Sequence, residues 1–147
     1  NSDICIRTSI IVGHPGETDE EFQKLYDFVD EMKFDRLGVF TYSNEEGTHG
    51  YQAFKDDIPQ QVKYDRMDAI MLLQQDISLE KNNNLIGNVE KVLIDKYLNE
   101  SVSIGRTYRD SPDVDNTVVI DGHHPIGSFL DVKITGATEY ELEARPL

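Results

Sequence analysis

Cysteine is nearly absent from this chain, which has a single one, Cys5, among 147 residues. One thiol excludes a disulfide within the chain and any metal site that requires several cysteines. This scarcity is typical of the reducing cytosol, so we expect a cytoplasmic protein. Because Cys5 lies between Ile4 and Ile6, we expect it to serve as a small buried apolar side chain.

Long hydrophobic runs and cationic residues are scarce as well. No apolar stretch approaches the roughly 20 residues of a membrane-spanning helix, and no basic segment followed by an apolar one marks a secretory signal. Only 14 Lys and Arg oppose 28 Asp and Glu, which gives a net charge of −14. Because phosphate binding requires a surplus of cations, RNA and DNA are disfavoured as partners. A basic protein is a better match, and solubility alone is an equally open explanation of the charge.

The first half of the chain has the pattern of a β-α-β-α segment. The apolar run at residues 4–12 predicts a strand that is covered on both faces, as in parallel sheets. Gly and Pro at residues 13–16 predict a turn, and the capping-box pattern at Thr18 predicts the start of a helix. A second strand is expected at residues 36–42, which completes a βαβ unit with a right-handed connection.

The second half changes from a helical period to the alternation of strands. After a polar loop at residues 43–57, Pro59 suits the first turn of a long helix that ends near Leu85. Beyond it, short alternating segments separated by turn residues predict an all-β module of four or five strands. We therefore expect two domains, residues 1–84 and residues 85–147.

Four sequence blocks resemble, in the same order, segments of the radical S-adenosylmethionine methylthiotransferase family. They are IIVGHPGET at residues 10–18, DRLGVFTYSNEEGT at 35–48, QQDISLEKN at 74–82 and GRTYRDSPDVD at 105–115. The resemblance implies an α/β plus all-β fold, in which the last βαβα part of a partial barrel is followed by a small antiparallel, OB-like β-barrel, the TRAM domain. It also implies that the chain is the C-terminal piece of a longer transferase.

Two branches of that family compete for this sequence. One branch modifies an adenosine in transfer RNA, and the RimO-type branch methylthiolates an aspartate of ribosomal protein S-twelve. The blocks EEGT at 45–48 and YRDSPDVD at 108–115 are similar to the RimO-type branch. From Leu85 onward, 6 Lys and Arg oppose 11 Asp and Glu. A module of that net charge repels RNA and attracts a basic ribosomal protein, so binding of transfer RNA is the alternative hypothesis.

The resemblance implies cofactors that this chain cannot hold by itself. The family uses S-adenosylmethionine and two 4Fe–4S clusters, and such clusters require several cysteine thiolates. With Cys5 alone, the chain lacks every cluster ligand, so we expect no catalytic residue, no metal site and no activity of the chain by itself.

Part of the wall of the S-adenosylmethionine pocket is nevertheless expected here, because ligands of α/β barrels sit at the carboxyl ends of strands. By resemblance, the first strand end lines the adenine through apolar and backbone contacts. Gly13 and Gly16 would permit a close approach of the backbone. A plain strand-to-helix turn is the competing interpretation. The predicted cofactor-binding residues are Val12, Gly13, His14, Pro15, Phe40 and Tyr42.

The predicted partner-binding residues lie in the second half. Asp110, Asp113 and Asp115 are expected to form a solvated acidic loop for a basic partner. Arg106 and Tyr108 are the next candidates, because Arg and Tyr are frequent at binding hot spots. Arg106 can equally pair with a carboxylate of the same chain. The spacing of the three aspartates does not match a calcium-binding loop.

Overall fold

The computed structural model describes residues 4–147. The chain divides into two compact units, Asn1–Ile77 and Ser78–Leu147. This division lies within a helix, whereas the sequence placed a domain boundary near Leu85. Within residues 4–147, no helix combines the length and the apolar character that crossing a bilayer requires.

The first unit contains the predicted βαβ segment. Its elements are β1 (Arg7–Val12), α1 (Asp19–Met32), β2 (Arg36–Thr41), α2 (His49–Ala53) and the long helix α3 (Gln60–Asn83), which continues past the division. Strands β1 and β2 are parallel and in register from the pair Arg7 and Arg36 to the pair Val12 and Thr41. Helix α2 corrects the prediction of a continuous loop at 43–57; five residues are too few to show a helical period.

Helix α1 begins at the capping box that the sequence predicts. The Thr18 hydroxyl accepts from the backbone N–H of Glu21 at 3.2 Å, and the Glu21 carboxylate accepts from the Thr18 N–H at 2.9 Å. These hydrogen bonds satisfy two of the N–H groups that a helix start leaves unpaired. Because the bonds from the Thr18 backbone and hydroxyl favour its ionised form, the pKa of Glu21 is lowered.

One face of the β1–β2 sheet packs on helices, and the other does not. The core of this unit is formed by Val29, Phe34, Ile70 and Ile77. On the opposite face Ile11 is 60% exposed and Phe40, its partner in register, is 59% exposed. The expectation of a strand covered on both faces is therefore wrong for β1 in this chain, since no further layer of the described residues lies against that face.

The second unit is a closed barrel of five strands, as the sequence predicts. The strands are β3 (Val89–Asn99), β4 (Val102–Arg106), β5 (Thr117–Asp121), β6 (Phe129–Ala137) and β7 (Glu141–Pro146). They are paired in the order β3-β4-β5-β7-β6, and β6 pairs with β3 to close the barrel. The pairs are antiparallel except for β5 and β7, which run parallel. That parallel pair is possible because β6, which lies between β5 and β7 in the sequence but beside β7 in the barrel, runs in the opposite direction to both.

Aliphatic side chains from four of the five strands fill the interior of the barrel, and the fifth strand, β4, packs closely against β3. The buried core consists of Val92, Ile94, Val118, Ile120, Val132, Ile134, Leu142 and Ala144. Strand β4 contributes none of these: Ser103 and Gly105 are buried, and the buried Ile104 lines a cavity on the outer face instead. A Cβ atom at Gly105 would lie 2.5 Å from both the Leu93 carbonyl oxygen and Val92 Cγ1. Gly105 thus lets β4 approach β3 closely.

Candidate functional sites

The first candidate site is the turn that follows β1, residues 13–17, which we call the strand-end turn. Gly13 and Gly16 have positive φ angles of 75° and 84°, a conformation that L-residues other than glycine rarely adopt. The Gly13 N–H donates to Glu17 Oε1 at 3.0 Å, and the Gly16 N–H donates to Asp57 Oδ1 at 3.0 Å. The turn is thus held by carboxylates.

Lys63 of α3 lies beneath the strand-end turn, and the sequence analysis missed it. Its ammonium donates to both Asp56 carboxylate oxygens at 2.7 Å and to the Tyr42 carbonyl oxygen at 3.3 Å. The side chain is almost fully buried, and a Cβ atom at Gly13 would collide with its stem. Gly13 is therefore needed for close packing on Lys63, and the expected approach of a ligand to its backbone stays a prediction.

Arg66, one helical turn further on, holds the other end of the strand-end turn. Its guanidinium donates to Glu17 Oε1 at 2.7 Å and to Asp19 Oδ1 at 2.7 Å. Because Arg66 is only 6% exposed, burial of its guanidinium is tolerated through its pairing with these carboxylates. Residues three apart on a helix share a face, and the pair Lys63 and Arg66 was the sequence signal that could have revealed this cluster.

The predicted cofactor-binding residues gather around the strand-end turn and the uncovered sheet face. Val12 is buried, and its carbonyl oxygen accepts from the Tyr42 N–H at 2.8 Å. The exposed His14 ring packs edge-on against Tyr42, with ring centroids 5.2 Å apart. Pro15 is partly buried, and Phe40 stands on the uncovered face. The structure brings these residues together, and their role towards a ligand stays a prediction.

The residues present suit part of an organic cofactor and do not suit an iron–sulfur cluster. The uncovered sheet face offers the exposed side chains of Ile11 and Phe40, an apolar surface of the kind that covers a nucleobase. Among residues 4–147, no group of three or more His, Cys, Asp or Glu side chains is arranged to hold a metal ion. The described residues therefore supply no cluster ligands beyond the lone Cys5.

The second candidate site lies on the outer face of the barrel at residues 107–116, which we call the acidic loop. Its three aspartates differ in their surroundings. Asp110 is 8% exposed, and it accepts from the Thr107 hydroxyl at 2.7 Å. Asp115 accepts from the Ser111 N–H at 2.7 Å, whereas the Asp113 side chain is 87% exposed and lies 3.7 Å from the Lys96 ammonium. The expectation of a solvated loop is therefore wrong for Asp110, because its carboxylate closes the turn after Thr107.

Of the predicted hot-spot residues, Arg106 immediately precedes this loop and Tyr108 lies within it. Arg106 forms an ion pair with Asp95 of the same chain at 3.0 Å, which is the second of the two roles expected for it. Tyr108 is exposed, and the Arg109 guanidinium lies over its ring, 4.4 Å from the ring centroid. Burial alone would lower the pKa of Arg109, but the hydrogen bond and the charge of Glu90, 3.0 Å away, raise it. The Arg109–Glu90 pair was not predicted.

Comparisons with known proteins agree with this architecture. Residues 86–147 match the model of the TRAM domain family. Three proteins named ribosomal protein uS12 methylthiotransferase RimO are similar to this chain. Their sequence identity to it is 47% for the protein of Prosthecochloris aestuarii, 49% for that of Christiangramia forsetii and 49% for that of Cytophaga hutchinsonii. The alignments cover 99%, 99% and 95% of this chain, but only 34%, 32% and 32% of those relatives.

The chain thus spans about a third of the length of the curated relatives it matches. The names of these relatives agree with the RimO-type branch and not with the transfer-RNA branch that was its alternative. The resemblance found in the sequence is confirmed: over almost its whole length the chain is similar to proteins named ribosomal protein uS12 methylthiotransferase RimO, and its residues 86–147 match the TRAM domain family.

Proposed function

We propose that the chain is the C-terminal part of a radical methylthiotransferase that adds a methylthio group to an aspartate of ribosomal protein uS12. The observation that carries this proposal is a sequence identity of 47–49% to proteins named ribosomal protein uS12 methylthiotransferase RimO, over 95–99% of the chain. Residues 1–84 would complete the catalytic barrel, and residues 85–147 would form the substrate-docking domain. The clusters would be held outside these residues, so we expect no methylthiolation by the chain alone.

The uncovered sheet face would form part of the wall of the S-adenosylmethionine pocket. Phe40 and Ile11 are exposed on this face, next to the strand-end turn, and exposed apolar side chains of this size are costly without a covering layer. The S-adenosylmethionine would supply the radical chemistry when it is bound. Lys63 and Arg66 would keep the strand ends in place through Tyr42 and Glu17.

The barrel would dock the basic protein substrate. Its residues from Leu85 onward carry 11 carboxylates against 6 cations, and such an excess attracts a cationic polypeptide over a range of about 8–10 Å at physiological salt. Of the three aspartates predicted to bind the partner, Asp113 is the best placed, because its exposed carboxylate has only a distant ion pair with Lys96. Asp110 and Asp115 would instead shape the loop.

Binding of transfer RNA is the less favoured function. Exposed aromatic side chains can stack on bases, but single-stranded nucleic acids also require cations along the groove. Arg106 and Arg109 each lie 3.0 Å from a carboxylate, so neither offers an uncompensated charge to a phosphate.

The docking proposal is tested by calorimetric titration of the chain with purified uS12 and with transfer RNA at several salt concentrations. We expect binding to uS12 that weakens as salt rises, and a smaller salt dependence for Asp113→Asn. The control is Asp30→Asn, the same change at an exposed position of α1, which should leave the salt dependence nearly unchanged. Tighter binding to transfer RNA than to uS12, or no binding to uS12, would contradict the proposal.

A further inference from the structure

An apolar groove lies on the outer face of the barrel, beside the acidic loop. Its cavity of about 420 Å³ is lined by Leu93 of β3, Tyr108 of the loop and Phe129 of β6, together with the charged Lys91, Arg106 and Asp110. Tyr108 is 64% exposed and Phe129 is 69% exposed. The volume falls in the lower part of the range for ligand pockets, which suits a large side chain better than a whole cofactor.

A second, more polar cavity adjoins the groove. It measures about 240 Å³ and is lined by Asp95, Asp113, Asn116 and others. Arg106 lines both cavities, and its guanidinium is held by Asp95 at 3.0 Å. The two cavities thus share Arg106, with the more apolar lining on one side of it and the more polar lining on the other.

The charges around this surface favour a cationic occupant over a nucleic acid. Arg106, Arg109 and Lys96 each have a carboxylate partner, at 3.0, 3.0 and 3.7 Å. Lys91, which also lines the groove, stands opposite Asp131 in the β3–β6 register. These pairs cancel the cations that a phosphate would need. The surrounding domain retains its excess of 11 carboxylates over 6 cations, so a basic polypeptide meets a complementary field.

We infer that this groove is the anchor point for a basic protein segment, with one large apolar side chain seated between Tyr108 and Phe129. A Lys or Arg next to that side chain in the segment would reach Asp113, whose pair with Lys96 is long and exposed. Exposed ion pairs of this kind contribute little by themselves, and buried aromatic anchors dominate interface energies. The apolar groove would therefore supply affinity, and the carboxylates would supply the salt dependence.

This inference rests on the proposed docking of uS12 and adds the apolar anchor to it. The test is a titration of the chain with uS12, comparing wild type with Phe129→Ala. Because Phe129 is mostly exposed, its truncation should leave the barrel folded, which the urea midpoint checks. We expect an affinity loss of about tenfold or more, with an unchanged salt dependence. Tyr108→Ala should also weaken binding, although it removes the ring that Arg109 covers.

The matched control is Tyr140→Ala, an exposed aromatic of the same domain that lines neither cavity. We expect its affinity for uS12 to stay within about twofold of the wild type, as for most surface positions. Wild-type affinity in both Phe129→Ala and Tyr108→Ala would overturn the groove while leaving the docking proposal intact. A wild-type chain that does not bind uS12 would instead remove the docking proposal. If Phe129→Ala abolishes binding of transfer RNA but not of uS12, the groove belongs to a nucleic acid.

Discussion

At the scale of single residues, the tightest constraint in the first unit is the packing of Gly13 on Lys63. The lysine stem occupies the space that a side chain at residue 13 would need, and the ammonium is satisfied by Asp56 and the Tyr42 carbonyl. A buried ammonium is tolerated only with such partners. The same small set of contacts therefore orders both strand ends of the candidate pocket.

Replacement of Gly13 by alanine should be markedly more harmful than replacement of Gly16. Both residues have a positive φ, which costs an alanine about 1–2 kcal/mol. Only at Gly13 does the added Cβ also meet Lys63, because nothing lies within 4 Å of a Cβ at Gly16. Gly16→Ala should thus lose about 1 kcal/mol and Gly13→Ala at least about 2 kcal/mol in the free energy of unfolding, measured in urea. Equal losses would contradict the packing argument.

At the scale of elements, helix α1 depends on an ionised residue in its first turn. Glu21 accepts from the Thr18 N–H and hydroxyl at 2.9 and 3.1 Å, and these bonds lower its pKa below the ordinary 4.5. A group whose pKa is lowered by folding stabilises the folded chain above the unfolded pKa and loses that effect as the pH falls through the folded pKa.

The stability difference between wild type and Glu21→Gln should therefore depend on pH. At pH 7 the wild type should be the more stable, and the difference should shrink once the pH falls below the ordinary pKa of 4.5. Urea unfolding at pH 7, 4 and 3 measures it. A difference of the same size at pH 7 and pH 3 would show that ionisation of Glu21 does not contribute.

Strand β4 is the element on which closure of the barrel depends most. A Cβ at Gly105 would meet the Leu93 carbonyl oxygen and Val92 Cγ1 at 2.5 Å, whereas a Cβ at Gly136 of β6 would meet the flexible Glu143 carboxylate at 2.6 Å. Neither glycine has a positive φ, so the effects of alanine at the two positions should differ only through the packing of the added methyl group.

Gly105→Ala should destabilise the barrel by about 1–3 kcal/mol, the usual cost of overpacking a core. Gly136→Ala is the control, and it should change the free energy of unfolding by less than about 1 kcal/mol because a surface carboxylate can rotate away. The denaturation midpoint and the near-ultraviolet circular dichroism of both variants provide the measurement. A Gly105→Ala barrel as stable as the control would mean that β4 can move away from β3.

At the scale of the whole molecule, the two units differ in how completely their sheets are covered. The barrel encloses an eight-residue aliphatic core and has no open sheet edge, since β6 pairs with β3. The first unit rests on a two-stranded sheet with one exposed apolar face. Two strands with one covered face are marginally stable unless other layers support them.

Amide hydrogen exchange should reflect this difference. We expect the amides of β1 and β2 to exchange earlier than those of β3 to β7, because local opening is easiest where few buried contacts oppose it. Exchange followed by mass spectrometry on the intact chain measures the order. Earlier exchange in the barrel would show that the uncovered face does not limit the stability of the first unit.

Short-range patterns were sufficient to predict most of the elements. The capping box at Thr18, the turn glycines and the change of period near Leu85 each depend on residues close in sequence, and the structure contains the corresponding helix, turn and barrel. The RimO-type resemblance also came from contiguous blocks and was confirmed. Helix α2 was missed, because its five residues carry too little pattern.

The sequence by itself thus determined the order of the elements, the barrel class and the family resemblance, because each is encoded by neighbouring residues. Only the tertiary structure decided which charges are buried and which sheet face is open. Arg66 meets Glu17 across 49 positions of chain, and Ile11 stays exposed on the face of β1 that no other described segment covers. Such burial is decided by segments that are distant in the chain, which no local pattern can specify.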